Sequence, residues 1–265
     1  MRPAPKSRRA TTCRSASCTT GSPSRRDVEA LIDALRGAAS VLVLSGSGMS
    51  AESGLPTFRG VGGLWRERRV EELASAEGFA ANPQLVWTWY NERLAAHRRA
   101  QPNAGHHALA RLEQALPDFT LATQNVDSLH LRAGSRNVVE LHGDLRGARC
   151  TRCDARRSLA ERGLPLGEIE HECGGRFRPN VVWFGESLPI HAWRTAEAAA
   201  RRADVILVVG TSAVVYPAAA LATGYNKNAF LAEINPEATT ISGAARCVLR
   251  MPAARALPAI ADALA

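Results

Sequence analysis

Apolar residues recur along this chain in two alternating rhythms. Over residues 27–36, Val28, Leu31, Ile32 and Leu35 fall at helical spacing and Gly37 stops the run. Val41-Leu42-Val43-Leu44 follows as an unbroken apolar block, the pattern of a parallel strand buried on both faces. Comparable blocks predict strands over 119–123, 138–141, 205–210 and 230–234. Helical patterns predict a helix opening at Asn82-Pro83 and running through Leu85, Val86, Trp89, Tyr90, Arg93 and Leu94. Further helices are predicted over 104–116, capped by Asn103, and over 192–202, 217–224 and 253–264. Such alternation predicts an α/β fold, a Rossmann-like doubly wound parallel sheet.

Two stretches break the rhythm. After the first strand, residues 45–54 read as a phosphate-side loop, and Pro56, Phe58, Arg59, Gly60, Gly62 and Gly63 continue it without regular pattern; a loop this long usually carries function. It leads into a helical segment, and the two together, about 59–100, are expected as one insertion. The second, about 144–180, is poor in apolar residues and holds a cysteine cluster; it is expected as a small inserted module. Residues 27–265 are expected to form one catalytic domain carrying both insertions, and no internal repeat is visible.

Charge changes the picture at one end only. The net charge is +8, but Arg2, Lys6, Arg8, Arg9, Arg14, Arg25 and Arg26 lie within residues 1–26, which contain no acid. The remainder is close to neutral, so no nucleic-acid partner is expected. The tail is rich in Ser, Thr, Pro and Arg, has no apolar stripe, and is expected to be disordered. It resembles an organelle transit peptide in composition but lacks clear amphipathicity; a solvated tail or an over-extended start is the reading kept, with a cytoplasmic location. No run approaches ~18 apolar residues, so no membrane span is expected. The six cysteines, Cys13, Cys18, Cys150, Cys153, Cys173 and Cys247, suit a metal site better than a disulfide framework.

Several short motifs carry chemistry. Gly46-Ser47-Gly48-Met49-Ser50-Ala51 is an imperfect GxGxxG, with alanine at the third glycine. Its glycines would let a pyrophosphate approach and leave N–H groups free to bind it, although a tight strand-to-helix turn needs glycine equally. The ribose-binding acid expected ~20 residues on has only Glu71 and Glu72 as candidates, by distance alone. Gly210-Thr211-Ser212 and Asn235 each follow a predicted strand, at the sheet edge where ligands bind, and Asn235 suits a ribose hydroxyl. Gln124, Asn125 and Asp127 follow another strand and suit a neutral carboxamide ring; Asp127 equally suits a helix N-cap. His142 ends the strand over 138–141, and an imidazole there can take a proton from a sugar hydroxyl. Cys150-x-x-Cys153 is half a zinc knuckle, answered only by Cys173. Glu170 has the spacing of the missing cysteine, His171 is the chemically better ligand, and a metal-free remnant is the alternative.

Taken in order, these motifs resemble the sirtuins, NAD-dependent protein lysine deacylases. The matching stretches are SGSGMSAESGLPTFRG, TQNVDSLH, His142-Gly143, RPNVVWFGE at 178–186 and the GTS at 210–212. The resemblance runs from about Val28 to the C-terminus. It implies an NAD domain, a smaller zinc-bearing module and an acyl-lysine peptide bound between them. By that similarity Gly46, Ser47, Gly48, Ser50, Phe58, Arg59, Trp65, Gln124, Asn125, Asp127, Gly210, Thr211, Ser212 and Asn235 would contact NAD. Val182, Phe184, Gly185 and Glu186 would line the acyl-lysine tunnel, the peptide adding as a strand. The implied zinc would take Cys150, Cys153 and Cys173, with His171 or water fourth. The implied reaction expels nicotinamide, the acyl oxygen attacks the anomeric carbon, and His142 acts as base on the ribose hydroxyls. Its products are free lysine, nicotinamide and O-acyl-ADP-ribose.

One pair refines the substrate. Tyr90-x-x-Arg93, with Ala74 upstream, matches the signature of the sirtuin branch that removes acidic acyl groups. A guanidinium binds a carboxylate in two places, a phenol adds a donor, and alanine leaves room. Succinyl, malonyl or glutaryl lysine is therefore expected beside acetyl. The alternatives are a plain deacetylase, a non-catalytic NAD or ADP-ribose binding module, and ADP-ribosyl transfer to protein.

Overall fold

The computed structural model describes residues 25–58, 70–159 and 161–265; the basic tail expected over 1–26 falls almost wholly outside them. The chain starts with α1 (Arg25–Gly37), whose Leu31 and Leu35 are buried. Next come β1 (Val41–Ser45), buried at all five positions, and a tight 3-10 turn over Ser47–Ser53 where an open loop was expected. Three helices follow: α2 (Val70–Leu73), α3 (Ala76–Ala81) and α4 (Pro83–Arg99). Asn82 caps α4 by accepting the Leu85 N–H at 3.0 Å, and Pro83 stands in the first turn, where no N–H partner is lost. α5 (Ala104–Ala115) carries a capping box built by Asn103 and His106. It feeds β2 (Phe119–Thr123), then α6 (Leu129–Arg132) and β3 (Val138–Glu140).

The segment over 143–181 forms β4 (Gly143–Cys150), β5 (Arg156–Ser158) and β6 (Phe177–Val181). These pair as an antiparallel sheet in the order β5-β4-β6. The sequence pattern predicts no strands in this segment. A register shift between Gly143 and Ala148 disturbs the alternation of apolar and polar positions, so no period of two shows in the sequence.

The chain then returns through α7 (Ile190–Arg202), β7 (Val205–Val209), α8 (Ala220–Thr223), β8 (Phe230–Ile234), β9 (Cys247–Leu249) and α9 (Ala253–Asp262). β9, three residues long, is not evident from the sequence pattern. The six strands of the main sheet are parallel and lie in the order β3-β2-β1-β7-β8-β9. Alternate residues of β1 serve opposite faces. Val41 and Val43 join Leu109, Leu112 and Leu257 in one apolar layer, while Leu42 and Leu44 join Ala196, Ala200 and Leu221 in the other. A third cluster joins Trp87, Tyr90 and Leu94 of α4 to Leu145, Ala148 and Phe177 of the small sheet, and the Trp87 indole donates to the Phe177 carbonyl at 2.8 Å. None of the described helices is long and apolar enough to cross a membrane.

Strand order reverses between β1 and β7, and this opens a crevice at their carboxyl ends. One wall, residues 235–242, is tied down by a charge inside the sheet. Glu233 of β8 is fully buried. Its carboxylate accepts from Arg250 Nη1 at 3.1 Å and Ser242 Oγ at 2.7 Å, and from the Thr239 hydroxyl. Arg250 also donates to the carbonyls of Asn235 and Glu237. Removing one partner of such a pair strands the other's charge. Arg250→Met is expected to lower unfolding free energy by about 3 kcal/mol in urea titrations, and adding Glu233→Gln should restore most of it.

Candidate active site

The crevice holds a cavity of about 490 Å³, a size suited to a cofactor-sized ligand. Its floor is the turn after β1 packed on the turn after β7. A Cβ on Gly46 would stand 2.6 Å from Thr211 Cβ, and one on Gly48 would stand 2.9 Å from Gly210 Cα. The amides are not left open, as expected from the motif. Gly46 N–H donates to Val209 O at 3.0 Å and Gly48 N–H to Gly210 O at 2.8 Å. The glycines thus serve close backbone approach between two strand ends, which is a different use of the same residues. Ser47, Gly48, Gly210, Thr211, Ser212 and Asn235 line the cavity beside them. Asn235 spends one amide N–H on the Thr211 carbonyl at 3.0 Å, and its Oδ1 accepts the Glu237 N–H at 3.2 Å. One N–H and one lone pair remain for a ligand. Glu71 and Glu72 are exposed on α2 and outside the lining, which removes them as ribose acids. Arg59 and Trp65 lie outside the described residues.

Under the floor runs a buried polar line. His130 Nε2 meets Ser45 Oγ at 2.9 Å, Ser45 Oγ donates to Thr123 Oγ1 at 2.8 Å, and Thr123 Oγ1 accepts the Asn125 N–H at 3.1 Å. Burial holds His130 well below the ordinary imidazole range, so the line is uncharged. Asn125 directs both side-chain N–H groups inward, to Gly46 O at 3.0 Å and Ser50 Oγ at 3.2 Å, which leaves its Oδ1 as an acceptor. Ser50 donates to Asp127 Oδ2 at 2.7 Å, and Asp127 Oδ1 accepts the Leu129 N–H at 2.9 Å. Asp127 thus closes an Asx-type turn into α6, whose N-cap position is Ser128 and not Asp127, while lining a side cavity of about 20 Å³ with Ser50 and Asn125. Burial pushes its carboxyl up despite these bonds. Gln124 lines the main cavity and donates to Thr211 Oγ1 at 3.0 Å.

His142 stands between the two sheets. Its Nδ1 donates to the Gln124 carbonyl at 3.0 Å, which leaves Nε2 with its lone pair. Burial lowers its pKa, against the opposing effect of that bond, so the ring is neutral at pH 7. Gly143 follows with φ of +81°, and a Cβ there would lie 2.2 Å from Asn180 O. Only glycine admits this sharp turn from one sheet into the next.

The cavity's far end is built by α4 and the turn that follows β6. Tyr90 and Arg93 both line it, with Ala74, Val182, Phe184, Gly185 and Glu186. The Arg93 guanidinium stacks on Phe58 at 4.7 Å and Trp89 at 4.8 Å, and no ion pair engages it among the described residues. Burial draws it down to about 10, which leaves it charged at neutral pH. Phe58 and Arg93 border both cavities.

A separate cluster closes the small sheet. Donor atoms of Cys150, Cys153, His171 and Cys173 all lie within 4.8 Å of one another. Cys150 Sγ is 3.5 Å from Cys173 Sγ, and His171 Nδ1 is 3.1 Å from Cys173 Sγ and 3.7 Å from Cys153 Sγ. Donors around a tetrahedral zinc stand roughly 3.5–3.8 Å apart, so this Cys3His group fits zinc. His171 is its fourth member. Glu170, at the spacing of the missing cysteine, pairs with Arg176 at 2.8 Å and is exposed.

Sequence reasoning passed over Trp183, Leu188, Val215 and Tyr216, which also line the cavity. Trp183 lies inside the quoted VVWFGE block, which was the available signal; the others carry no motif.

Fold and cavity together define an α/β nucleotide-binding enzyme. The Sir2 family model matches residues 46–217, and the chain belongs to that family. A protein named NAD-dependent protein deacylase from Aquifex aeolicus is 48% identical over 228 residues, covering 84% of this chain and 95% of that one. The ADP-ribose complex of a Sir2 homologue mutant superposes with a TM-score of 0.86 at 43% identity, covering 89% and 96% of the two chains. A Sir2 homologue–NAD complex gives 0.83 at 43% identity, covering 89% and 93%.

Protein purified without chelator is expected to carry about one zinc per chain by elemental analysis. His171→Ala should lose that metal to a chelator faster than the parent, whereas Glu170→Ala should not. Metal content below ~0.3 equivalents would remove the site.

Proposed function

We propose that this Sir2-family enzyme removes acidic acyl groups, succinyl, malonyl or glutaryl, from protein lysines, with acetyl as a parallel substrate. The broader activity, NAD-dependent protein deacylation, follows from family membership and from the name of the Aquifex aeolicus relative. One observation carries the finer reading: Arg93, charged and in no ion pair among the described residues, with Asp127 acting on it only from beyond that range, lines the cavity one helical turn from Tyr90. A cation between two aromatic faces suits a carboxylate that arrives with the substrate. Ala74 keeps that end open. Its carbonyl accepts the Phe184 N–H at 3.0 Å, so the end of α2 and the turn after β6 are joined there.

The assignments at the other end are proposals of the same kind. Gly46 and Gly48 leave no Cβ in the crevice, and the dinucleotide fits there as it does in any doubly wound sheet. Bound NAD supplies a nicotinamide leaving group and the ribose carbon that takes the acyl oxygen. Asn125 Oδ1 and Asp127 would orient the carboxamide end, and Phe58 would shut out water. His142 holds its Nδ1 proton on Gln124, so Nε2 is the atom that accepts a proton from the cavity. Val182, Phe184, Gly185 and Glu186 would hold the acyl-lysine peptide along its main chain. Cys150, Cys153, His171 and Cys173 would hold zinc, which closes the small sheet that carries these residues. We further propose that α2–α4 and the segment over 143–181 act as one substrate module on the NAD domain.

Matched succinyl- and acetyl-lysine peptides with NAD, followed by mass spectrometry, test the reading. The parent should remove succinyl faster. Arg93→Met should lower succinyl kcat/KM by roughly 10- to 100-fold, the loss of one charge-assisted contact, and acetyl far less. Equal losses would sink the carboxylate role.

His142→Ala should abolish deacylation while NAD binding, followed by calorimetry, persists. A base must be neutral to act, and burial lowers this imidazole's pKa. The acid limb of kcat/KM should therefore fall on the acid side of an ordinary histidine's range; a limb on the alkaline side would exclude His142 as the base.

A further inference from the structure

We propose that Trp183 is a positioning residue for acyl selectivity: its indole N–H fixes the Tyr90 hydroxyl so that the phenolic proton is directed at the carboxylate of a bound acidic acyl group. This rests on the acidic-acyl reading and adds a residue to it that does not need to touch the acyl carboxylate.

Trp183 Nε1 donates to the Tyr90 hydroxyl at 3.0 Å, and both residues are buried. An indole N–H is a donor only, whereas a phenol has one proton and acceptor lone pairs. With the indole on the acceptor side, the phenolic proton has to point elsewhere. Among the described residues the Tyr90 hydroxyl makes no other hydrogen bond, and Tyr90 lines the cavity beside Arg93. The proton is retained at working pH, because burial raises the phenol to about 12 against the lowering effects of the Trp183 bond and the Arg93 charge. Without the indole, the hydroxyl could turn its lone pairs toward the ligand carboxylate and repel it.

The indole cannot swing away. Its ring lies under the Arg178 guanidinium at 3.4 Å and against Phe79 at 5.3 Å. Its main-chain N–H donates to Glu186 Oε2 at 2.8 Å. Arg178 is held in turn by an ion pair with Glu186 and by the Val181 carbonyl at 3.0 Å. Its side chain is only 7% exposed, so solvent competes little for it. Glu186, Arg178 and Trp183 thus form a buttress behind a single hydroxyl.

The test compares succinyl and acetyl peptides with the parent enzyme, Trp183→Phe, Tyr90→Phe and the double variant. Trp183→Phe keeps an aromatic ring under Arg178 and removes the N–H. The succinyl-to-acetyl ratio of kcat/KM should fall roughly fivefold or more in each single variant, chiefly through the succinyl KM. The double variant should be no less selective than Tyr90→Phe alone, because Trp183 acts through Tyr90. Should Trp183→Phe melt early, 3-benzothienylalanine at position 183 keeps the indole shape without the N–H and should give the same ratio. A ratio unchanged in these Trp183 variants, or losses that multiply in the double variant, would overturn the proposal while leaving the acidic-acyl reading intact. A parent enzyme with no preference for succinyl would overturn both.

Discussion

The rest of this structure depends on how closely two strand ends approach. Gly48 donates to the Gly210 carbonyl at 2.8 Å, and neither Gly46 nor Gly48 has room for a Cβ. Parallel strands of one sheet run side by side, and their end loops usually diverge around bulky side chains. Here backbone lies on backbone, and this lets Thr211 stand within reach of both Gln124 and Asn235. Four strand ends, those of β1, β2, β7 and β8, are thereby locked into one floor. Had the loops parted by the width of a methyl group, the polar line from His130 to Asn125 would have lost its roof at the Gly46 carbonyl.

Above that floor the two ends of the cavity follow different physics. The sheet end is built from groups whose hydrogen bonds are mostly spent on one another: Asn125 with Gly46 and Ser50, Ser50 with the Asp127 carboxyl, His142 with Gln124. Such a network resists rearrangement and presents a few chosen atoms, among them Asn125 Oδ1 and His142 Nε2. The α4 end is aromatic and carries one cation, Arg93. The first arrangement orients a polar ligand through fixed hydrogen bonds, and the second discriminates by charge.

Much of this was legible in the chain. The runs that became β1 and β7 are apolar almost throughout and buried at every position, and β2 and β8 are nearly as buried although Thr120 and Glu233 interrupt them. The three-residue spacing of Tyr90 and Arg93 places both on one helical face, and the cavity is on that face. Elsewhere local pattern was insufficient. The small sheet is hidden by a register shift within β4. The choice between Glu170 and His171 depends on the isolated bridge between Glu170 and Arg176, where neighbouring side chains point to opposite sides; no count of residues reveals which side faces the cysteines. The glycine-rich turn was visible as a turn, but the destination of its N–H groups depends on Gly210, more than 150 residues away in sequence. The partnership of Trp183 with Tyr90 is likewise a contact between distant segments.

The stacking of Arg93 between Phe58 and Trp89 has a thermodynamic side. A guanidinium that has given up water for ring faces, with Asp127 acting on it only from beyond ion-pair distance, is a locally frustrated group, tolerated because the surrounding fold over-determines its place. The empty enzyme therefore sits higher in free energy than its packing alone would set, and an arriving anion relieves that debt at one point. Selectivity for charge and a softened resting state are then a single property of α4, and sharpening the first without deepening the second would require a different helix.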